Sequence, residues 1–112
     1  MRQQQEKGRK IRTAVVGATG YTGAELIRLL IGHPTVEITA LTSESYVDLP
    51  IGEVFPSVSG LLEITCEKFD PPEIAKVADM IFLALPHKTA MAAAVELLPL
   101  GKKVIDLSAD FR

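Results

Sequence analysis

The stretch Ile11–Val16, IRTAVV, runs straight into Gly17–Gly23, GATGYTG, and this junction decides the fold. The first part is short, mostly apolar and rich in β-branched residues, which predicts a buried strand. Beyond the turn, Ala24, Leu26, Ile27, Leu30 and Ile31 recur at helical spacing, and Gly32 and Pro34 close the segment, so Tyr21–Ile31 reads as a helix. A strand, a glycine-rich turn and a helix in this order give each glycine a physical task. Gly17 permits a tight exit from the strand, Gly20 lets the backbone come close to a pyrophosphate, and Gly23 lets the helix pack near the sheet. The helix N-terminus then offers free N–H groups and partial positive charge to an anion. The competing reading is a purely structural turn, but glycines within the helix would then lower its stability, by about 1 kcal/mol each, without return.

Working outward, Val36–Leu41 predicts a second strand with Val36, Ile38 and Ala40 on one face. Residues 42–60 have no clear period, and Ile51–Phe55 is a candidate short helix within them. Leu62–Phe69 contains a weak third strand. Asp70-Pro71-Pro72-Glu73 is a helix start, with Asp70 as cap and proline tolerated in the first turn, leading to a helix over Glu73–Val77. Met80–Leu85 is an apolar fourth strand, Lys88–Leu98 an alanine-rich helix stopped by Pro99 and Gly101, and Lys103–Leu107 a fifth strand. Strands alternating with helices imply parallel βαβ units, with strands covered on both faces. The expectation is an α/β fold, a doubly wound parallel sheet of Rossmann type. Its strand order is 3-2-1-4-5, with a switch point between strands 1 and 4 beyond their C-terminal ends. Residues 11–112 then form one dinucleotide-binding domain. Residues 1–10, polar and basic after Met1, form a flexible arm that cannot bury enough surface to order itself.

Bulk properties narrow the function classes. The chain has 112 residues, a formal net charge of -2 and 47% hydrophobic residues, which suits one small soluble domain. That balance argues against nucleic acid or an anionic membrane as the main partner. One cysteine, Cys66, leaves no internal disulfide. No apolar run approaches the length of a membrane span, and the first residues lack the apolar stretch of a secretory signal, so a reducing, cytoplasmic setting is expected.

The end of the second strand should sit over the adenosine ribose, and Thr42-Ser43-Glu44-Ser45 stands there. Glu44 lies about 20 residues past Gly23, where an acidic residue holds the 2′-OH of NAD. Alternatively, Thr42, Ser43 and Ser45 offer hydroxyls to the 2′-phosphate of NADP, with Glu44 turned to solvent. The residues leave both open. His87, after the fourth strand, reads either as a cofactor or substrate contact or as a helix-start residue. His33 is structural at a helix end, Asp79 a turn residue, and the alanine-rich helix a packing face. Arg112 suits a phosphate or carboxylate, with Asp106, Ser108 and Asp110 near it.

These residues together resemble a known family. Val16–Leu26, His33-Pro34, Ala40–Ser43, Glu53–Pro56, Phe82–His87 and Val104–Arg112 are similar to the opening of N-acetyl-gamma-glutamyl-phosphate reductase, an arginine-biosynthesis oxidoreductase related to semialdehyde dehydrogenases. The likeness spans Ile11–Arg112, and its GATGYTG turn and closing DLSADFR are specific together. It implies NADPH-dependent reduction of an acyl phosphate to a semialdehyde by way of a cysteine thioester. It places NADP on Gly17, Ala18, Thr19, Gly20, Tyr21, Thr22 and Gly23, with Ser43 and Ser45 on the adenosine side and Leu85, Pro86 and His87 beside the nicotinamide. It places Ser108 and Arg112 near the substrate phosphate. It further implies a homo-oligomer in the full protein that acts on a small acyl-phosphate substrate, with no nucleic-acid or membrane partner. The family's nucleophilic cysteine and its histidine partner follow Arg112, so the chain is expected to be an inactive part of a two-domain enzyme with no catalytic residue of its own. Cys66 matches no catalytic motif and reads as a small buried hydrophobe. Val47–Pro50 departs from the family's glycine-containing stretch. The alternatives are the domain of another NAD(P)-dependent semialdehyde dehydrogenase or short-chain reductase, or a non-enzymatic dinucleotide sensor.

Overall fold

The computed structural model describes residues 10–108; residues 1–9 of the expected arm at 1–10, and Asp110 and Arg112, lie outside the described residues. Four strands form one sheet: β1 (Ile11–Val16), β2 (Val36–Thr42), β3 (Met80–Leu83) and β4 (Lys103–Asp106). Their order is β2-β1-β3-β4 and every pairing is parallel. The helices are α1 (Tyr21–Ile31), α2 (Ile51–Val54), α3 (Pro71–Val77) and α4 (His87–Leu97), with 3-10 turns at Pro56–Val58 and Leu98–Leu100. The chain leaves β1 for β2 on one side and returns to β3 on the other, which makes the β1–β3 boundary the switch point of a doubly wound sheet.

Both faces of the sheet are covered, which is why its central strands are apolar throughout. Ala14, Val16, Ile81 and Leu83 face α3 and α4, packing with Ile74, Ala90 and Leu97. Val15 and Leu41 face α1 and α2, packing with Ile27, Leu30 and Ile51. Ile27 and Ile81 are fully buried, and truncating either to alanine would destabilise the domain by about 2–5 kcal/mol. Asp70 caps α3 by accepting from the Glu73 N–H at 3.5 Å, and Pro71 and Pro72 occupy the first turn.

Three sequence expectations need correction. The outer third strand does not form, so the observed order lacks the outer position of 3-2-1-4-5. The segment Leu62–Phe69 divides its backbone bonds instead. Glu67 joins β2, its N–H donating to Leu41 O at 2.9 Å and its carbonyl accepting from Ser43 N at 3.1 Å, while Cys66 and Ile64 bond back to the loop at Asp48–Ile51. Only isolated bridges result, Thr42 with Glu67 and Pro50 with Thr65. Second, Val36, Ile38 and Ala40 do not share one face. The register shifts between Thr13 and Ala14, so that Thr39 is skipped and the strand turns over beyond it. Ile38 and Leu41 consequently lie on the α1 side and Ala40 on the α4 side. Third, β3 stops at Leu83 and β4 at Asp106, short of the expected Leu85 and Leu107, because the crest beyond them belongs to loops.

Candidate dinucleotide-binding site

Four loops meet at the C-terminal edge of the sheet, and the glycine turn is their centre. Gly17 has φ +86, a conformation that favours glycine, and a Cβ there would lie 2.4 Å from Ala84 O and 2.7 Å from Leu85 Cδ2. The turn is tied to the end of β2 by Gly17 N and Ala18 N, which donate to Thr42 O at 3.2 and 2.8 Å. Gly23 sits in the first turn of α1, where a Cβ would lie 2.4 Å from Gly17 O. Both glycines are therefore required by the chain itself. Gly20 is different: its φ is -86, and the nearest atom to a Cβ is Gly17 O at 3.9 Å. No neighbour among the described residues accounts for a missing side chain there. Gly20 is also the N-cap of α1, and no side chain caps that end. The first-turn N–H groups of Tyr21, Thr22 and Gly23 precede the first intrahelical bond, made by Ala24 N to Gly20 O at 2.9 Å, and stay free for an anion.

Two depressions flank this turn, and Leu85 lines both. On the β2 side a mainly apolar slot of about 150 Å³ lies between Gly17, Ser43, Phe69 and the inner stripe of α4. On the β4 side a groove of about 300 Å³ runs between Gly20, Tyr21 and Thr22, the Leu85-Pro86 loop, and Leu107-Ser108. An extended ligand lying over the glycine turn would place one half in each.

The crest brings most of the sequence-chosen residues together. Gly17, Ser43 and Leu85 line the slot; Gly20, Tyr21, Thr22, Leu85, Pro86 and Ser108 line the groove. Ser43 is buried, its hydroxyl 2.9 Å from Thr19 Oγ1 and accepting from Tyr46 N at 3.1 Å, so its own proton is directed to Thr19 or to a ligand. Ala18 is fully buried beneath the turn. Ser45 is exposed and lines neither depression, whereas Glu44 borders the slot. His87 is the exposed first residue of α4, near enough to Asp106 for its imidazole to help lower that carboxyl. Ser108 is the larger cause of the lowering. Its amide donates to Asp106 Oδ1 at 2.8 Å, and its buried hydroxyl meets no hydrogen-bond geometry among the described residues, so the amide carries the effect. Arg112 lies outside the described residues.

Sequence reasoning missed the far wall of the slot. Thr89, Ala92, Ala93 and Glu96 all line it. Their i, i+3, i+4, i+7 spacing was visible, but an alanine-rich stripe reads as packing on the sheet. Phe69, in the segment read as a weak strand, closes the slot from the other side.

Other candidates fall away from the crest. Cys66 is fully buried, and burial pushes its thiol above the usual range, the opposite of an activated nucleophile. His33 Nδ1 accepts from Thr35 N at 3.2 Å and is structural. Asp79 is more than a turn residue: at the opposite end of the sheet it holds Arg12 through two oxygens, at 3.0 and 3.1 Å, and Lys102 at 3.4 Å. Among the described residues no group of three acidic, histidine or cysteine side chains could hold a metal ion, and no helix is long and apolar enough to cross a membrane.

A parallel sheet with a glycine turn feeding an uncapped helix at its switch point defines a dinucleotide-binding domain. The chain belongs to the family described as semialdehyde dehydrogenase, NAD binding domain, whose model matches residues 12–112. Within that class it is similar to N-acetyl-gamma-glutamyl-phosphate reductase of Desulfotalea psychrophila, 54% identical over 102 residues that cover 91% of this chain and 30% of that protein. The reductase of the same name from Pelotomaculum thermopropionicum is 49% identical over 102 residues, covering 91% of this chain and 29% of that one. The chain thus spans about 30% of the length of the curated relatives it matches. A crystal structure of aspartate semialdehyde dehydrogenase with NADP from Candida albicans shares the fold, with a TM-score of 0.72 and 23% identity over 87% of this chain and 29% of that one.

Proposed function

We propose that this chain is the NADP(H)-binding domain of an N-acetyl-gamma-glutamyl-phosphate reductase. That enzyme converts an acyl phosphate to a semialdehyde in arginine biosynthesis. The single observation that carries the reading is Gly20, a glycine that neither its backbone conformation nor any neighbour requires, standing at the uncapped N-terminus of α1. A pyrophosphate needs a bare backbone at that point and finds the free N–H groups of Tyr21, Thr22 and Gly23 there. The slot beyond Gly17 and Ser43 has the apolar lining for the adenine ring of the adenosine half, and the groove beside Leu85, Pro86 and Ser108 is open to the nicotinamide half. When bound, the cofactor supplies the hydride. This chain's part is to hold the dinucleotide and orient it across the crest. His87 at the start of α4 and Ser45 after β2 approach its two ends. Ser108 at the groove is the described residue we assign to the acyl phosphate, and the family likeness adds Arg112. The nucleophilic thiol belongs to the rest of the enzyme, which we take to be a homo-oligomer acting on a small substrate in the cytoplasm. Burial excludes Cys66 from that role.

The NADP form follows from the family likeness, which assigns Ser43 and Ser45 to the adenosine side; of the two, Ser43 lines the slot. One observation favours NAD instead: Glu44 borders the slot, and no lysine or arginine does among the described residues. Calorimetric titration with NADPH and with NADH separates these. Tighter NADPH binding, weakened by Ser43→Ala and abolished by Gly20→Val, supports the NADP reductase. Tighter NADH binding makes Glu44 the ribose ligand. Binding of neither by the full-length protein overturns the dinucleotide reading.

A further inference from the structure

We propose that Thr19 is a positioning residue for the dinucleotide: its hydroxyl fixes and polarises that of Ser43, and Ser43 meets the ligand. This rests on the dinucleotide reading above and deepens it, giving the Thr19 side chain a task separate from the backbone of its turn. Ser43 lines the slot and Thr19 does not; Thr19 borders a surface depression with Ala24 and Arg28 of α1. The two hydroxyls nonetheless stand 2.9 Å apart. Gly17 and Ala18 reach the end of β2 through backbone N–H groups. Thr19 and Ser43 therefore supply the one bond between two side chains that ties the turn to the strand end among the described residues.

The bonds around Ser43 limit what it can offer a ligand. A hydroxyl has one proton and two lone pairs. The Tyr46 N–H donates to Ser43 Oγ at 3.1 Å and occupies one lone pair. Ser43 is buried, so the other lone pair and the proton are left to Thr19 and to a ligand in the slot. Thr19 has no second side-chain hydrogen bond among the described residues to claim its own proton. When Thr19 donates, both Ser43 lone pairs are filled and the Ser43 proton points to an acceptor. Ribose and phosphate oxygens of a dinucleotide are such acceptors. A hydroxyl that accepts in this way is also a stronger donor, because hydrogen bonds in a chain polarise one another. Without the Thr19 hydroxyl, Ser43 keeps a single side-chain tie at Tyr46, turns more freely, and must be fixed by binding at an entropic cost. Its backbone is held separately, by the Ser43 N–H donating to Glu67 O at 3.1 Å, so the change stays in the side chain.

The test is a double-mutant cycle in the full-length protein, with affinity for whichever of NADPH and NADH binds more tightly read by fluorescence titration. Thr19→Val keeps the shape of the side chain and removes the hydroxyl, and should weaken binding by about threefold to tenfold, the size of one neutral hydrogen bond. Thr19→Ala, which also lacks the hydroxyl, carries the same comparison if valine disturbs the turn. Thr19→Ser restores the hydroxyl and should bind within about twofold of wild type. In a Ser43→Ala background Thr19→Val should cost nothing further, whereas a Thr19 hydroxyl that touched the dinucleotide itself would cost the same in both backgrounds. The inference is overturned by a Thr19→Val protein that binds as tightly as wild type or more so, by a loss that persists in full without Ser43, by failure of Thr19→Ser to restore binding, or by unchanged affinity in Ser43→Ala. In each of those cases the wild-type protein still binds and the dinucleotide reading stands. Failure of wild-type protein to bind either dinucleotide sinks both.

Discussion

Adding a single methyl group at successive glycines separates the needs of the fold from the needs of the ligand. At Gly23, alanine would raise helix propensity by about 1 kcal/mol if nothing else changed. Its Cβ, however, would lie 2.4 Å from Gly17 O and 2.7 Å from Ala18 O, both backbone atoms that cannot swing aside. Overpacking costs about 1–3 kcal/mol where side chains can adjust, and against rigid backbone the upper end applies, so after the propensity gain a net loss of about 2 kcal/mol is expected for Gly23→Ala. In a domain of this size that lowers Tm by roughly 8–16 °C. At Gly20, the same methyl meets nothing closer than 3.9 Å, so the loss should be limited to the N-cap preference for glycine over alanine, about 1 kcal/mol or less. Gly20→Ala should nevertheless weaken the preferred reduced dinucleotide by about tenfold or more, because the added Cβ enters the space the pyrophosphate needs. Gly32→Ala is the control: it has no atom within 4 Å and an ordinary φ of -87, and should stabilise slightly, by about 0.4–1 kcal/mol. Thermal melts by circular dichroism and dinucleotide titration read the two quantities independently. A Gly23→Ala protein as stable as wild type would refute the close approach of α1 to the turn. An unchanged dinucleotide affinity in Gly20→Ala would refute the ligand's claim on that glycine.

Further outcomes follow from the ionisable groups. The Arg12 guanidinium, hydrogen-bonded to Asp79, holds that carboxyl below the usual carboxylate range, with Lys102 adding to the effect. Its stabilising contribution is present above the unfolded value, about 3.9, and is lost as pH falls through the lower folded value, so Asp79→Asn should lower the urea midpoint at pH 7 and have little effect near pH 2. Glu67 behaves oppositely, because burial and then Glu73 and Asp70 push its carboxyl up. Ionising it opposes folding, so Glu67→Gln should stabilise at pH 7, with the gain vanishing below about pH 4 in the same urea titrations. Cys66 should react with an aromatic disulfide reagent at a rate limited by opening of the domain, and promptly once urea unfolds it; fast labelling of the folded protein would contradict its burial.

The centre of the fold was legible in the sequence because its signals are local. Ile11–Val16, the glycine turn and the apolar positions of α1 are adjacent in the chain, and each demands the next. Asp70 and the two prolines after it announced α3 for the same reason. The missing outer strand was not legible. Leu62–Phe69 has strand-like composition, but its partners are chosen by the loop at Asp48–Ile51, which competes with β2 for its backbone groups. The bulge at Thr39 was hidden because it is a property of pairing between β1 and β2, and neither strand shows it alone. The slot followed the same rule. Its β1 and β2 walls lie on loops that sequence reading associates with ligands, while Phe69 and the α4 stripe become walls only when the sheet brings them to Gly17 and Ser43.

The two ends of the sheet divide the work. The Arg12, Asp79 and Lys102 cluster sits where β1, β3 and β4 begin, and ties three consecutive edges of the fold together far from the crest. The crest is held differently, by backbone bonds from the turn to Thr42 and by the bare approach of Gly17 to Ala84. Those contacts leave few side chains to hold the loops apart or together, so the crest's shape depends on the absence of side chains at Gly17 and Gly23. Substitution at either glycine should therefore cost stability as well as affinity, whereas changes at Gly20 and Glu44 should act mainly on affinity. Stability and affinity should fall together in the first group and separate in the second, which makes the pattern across these four positions a stronger test of the site than any one of them.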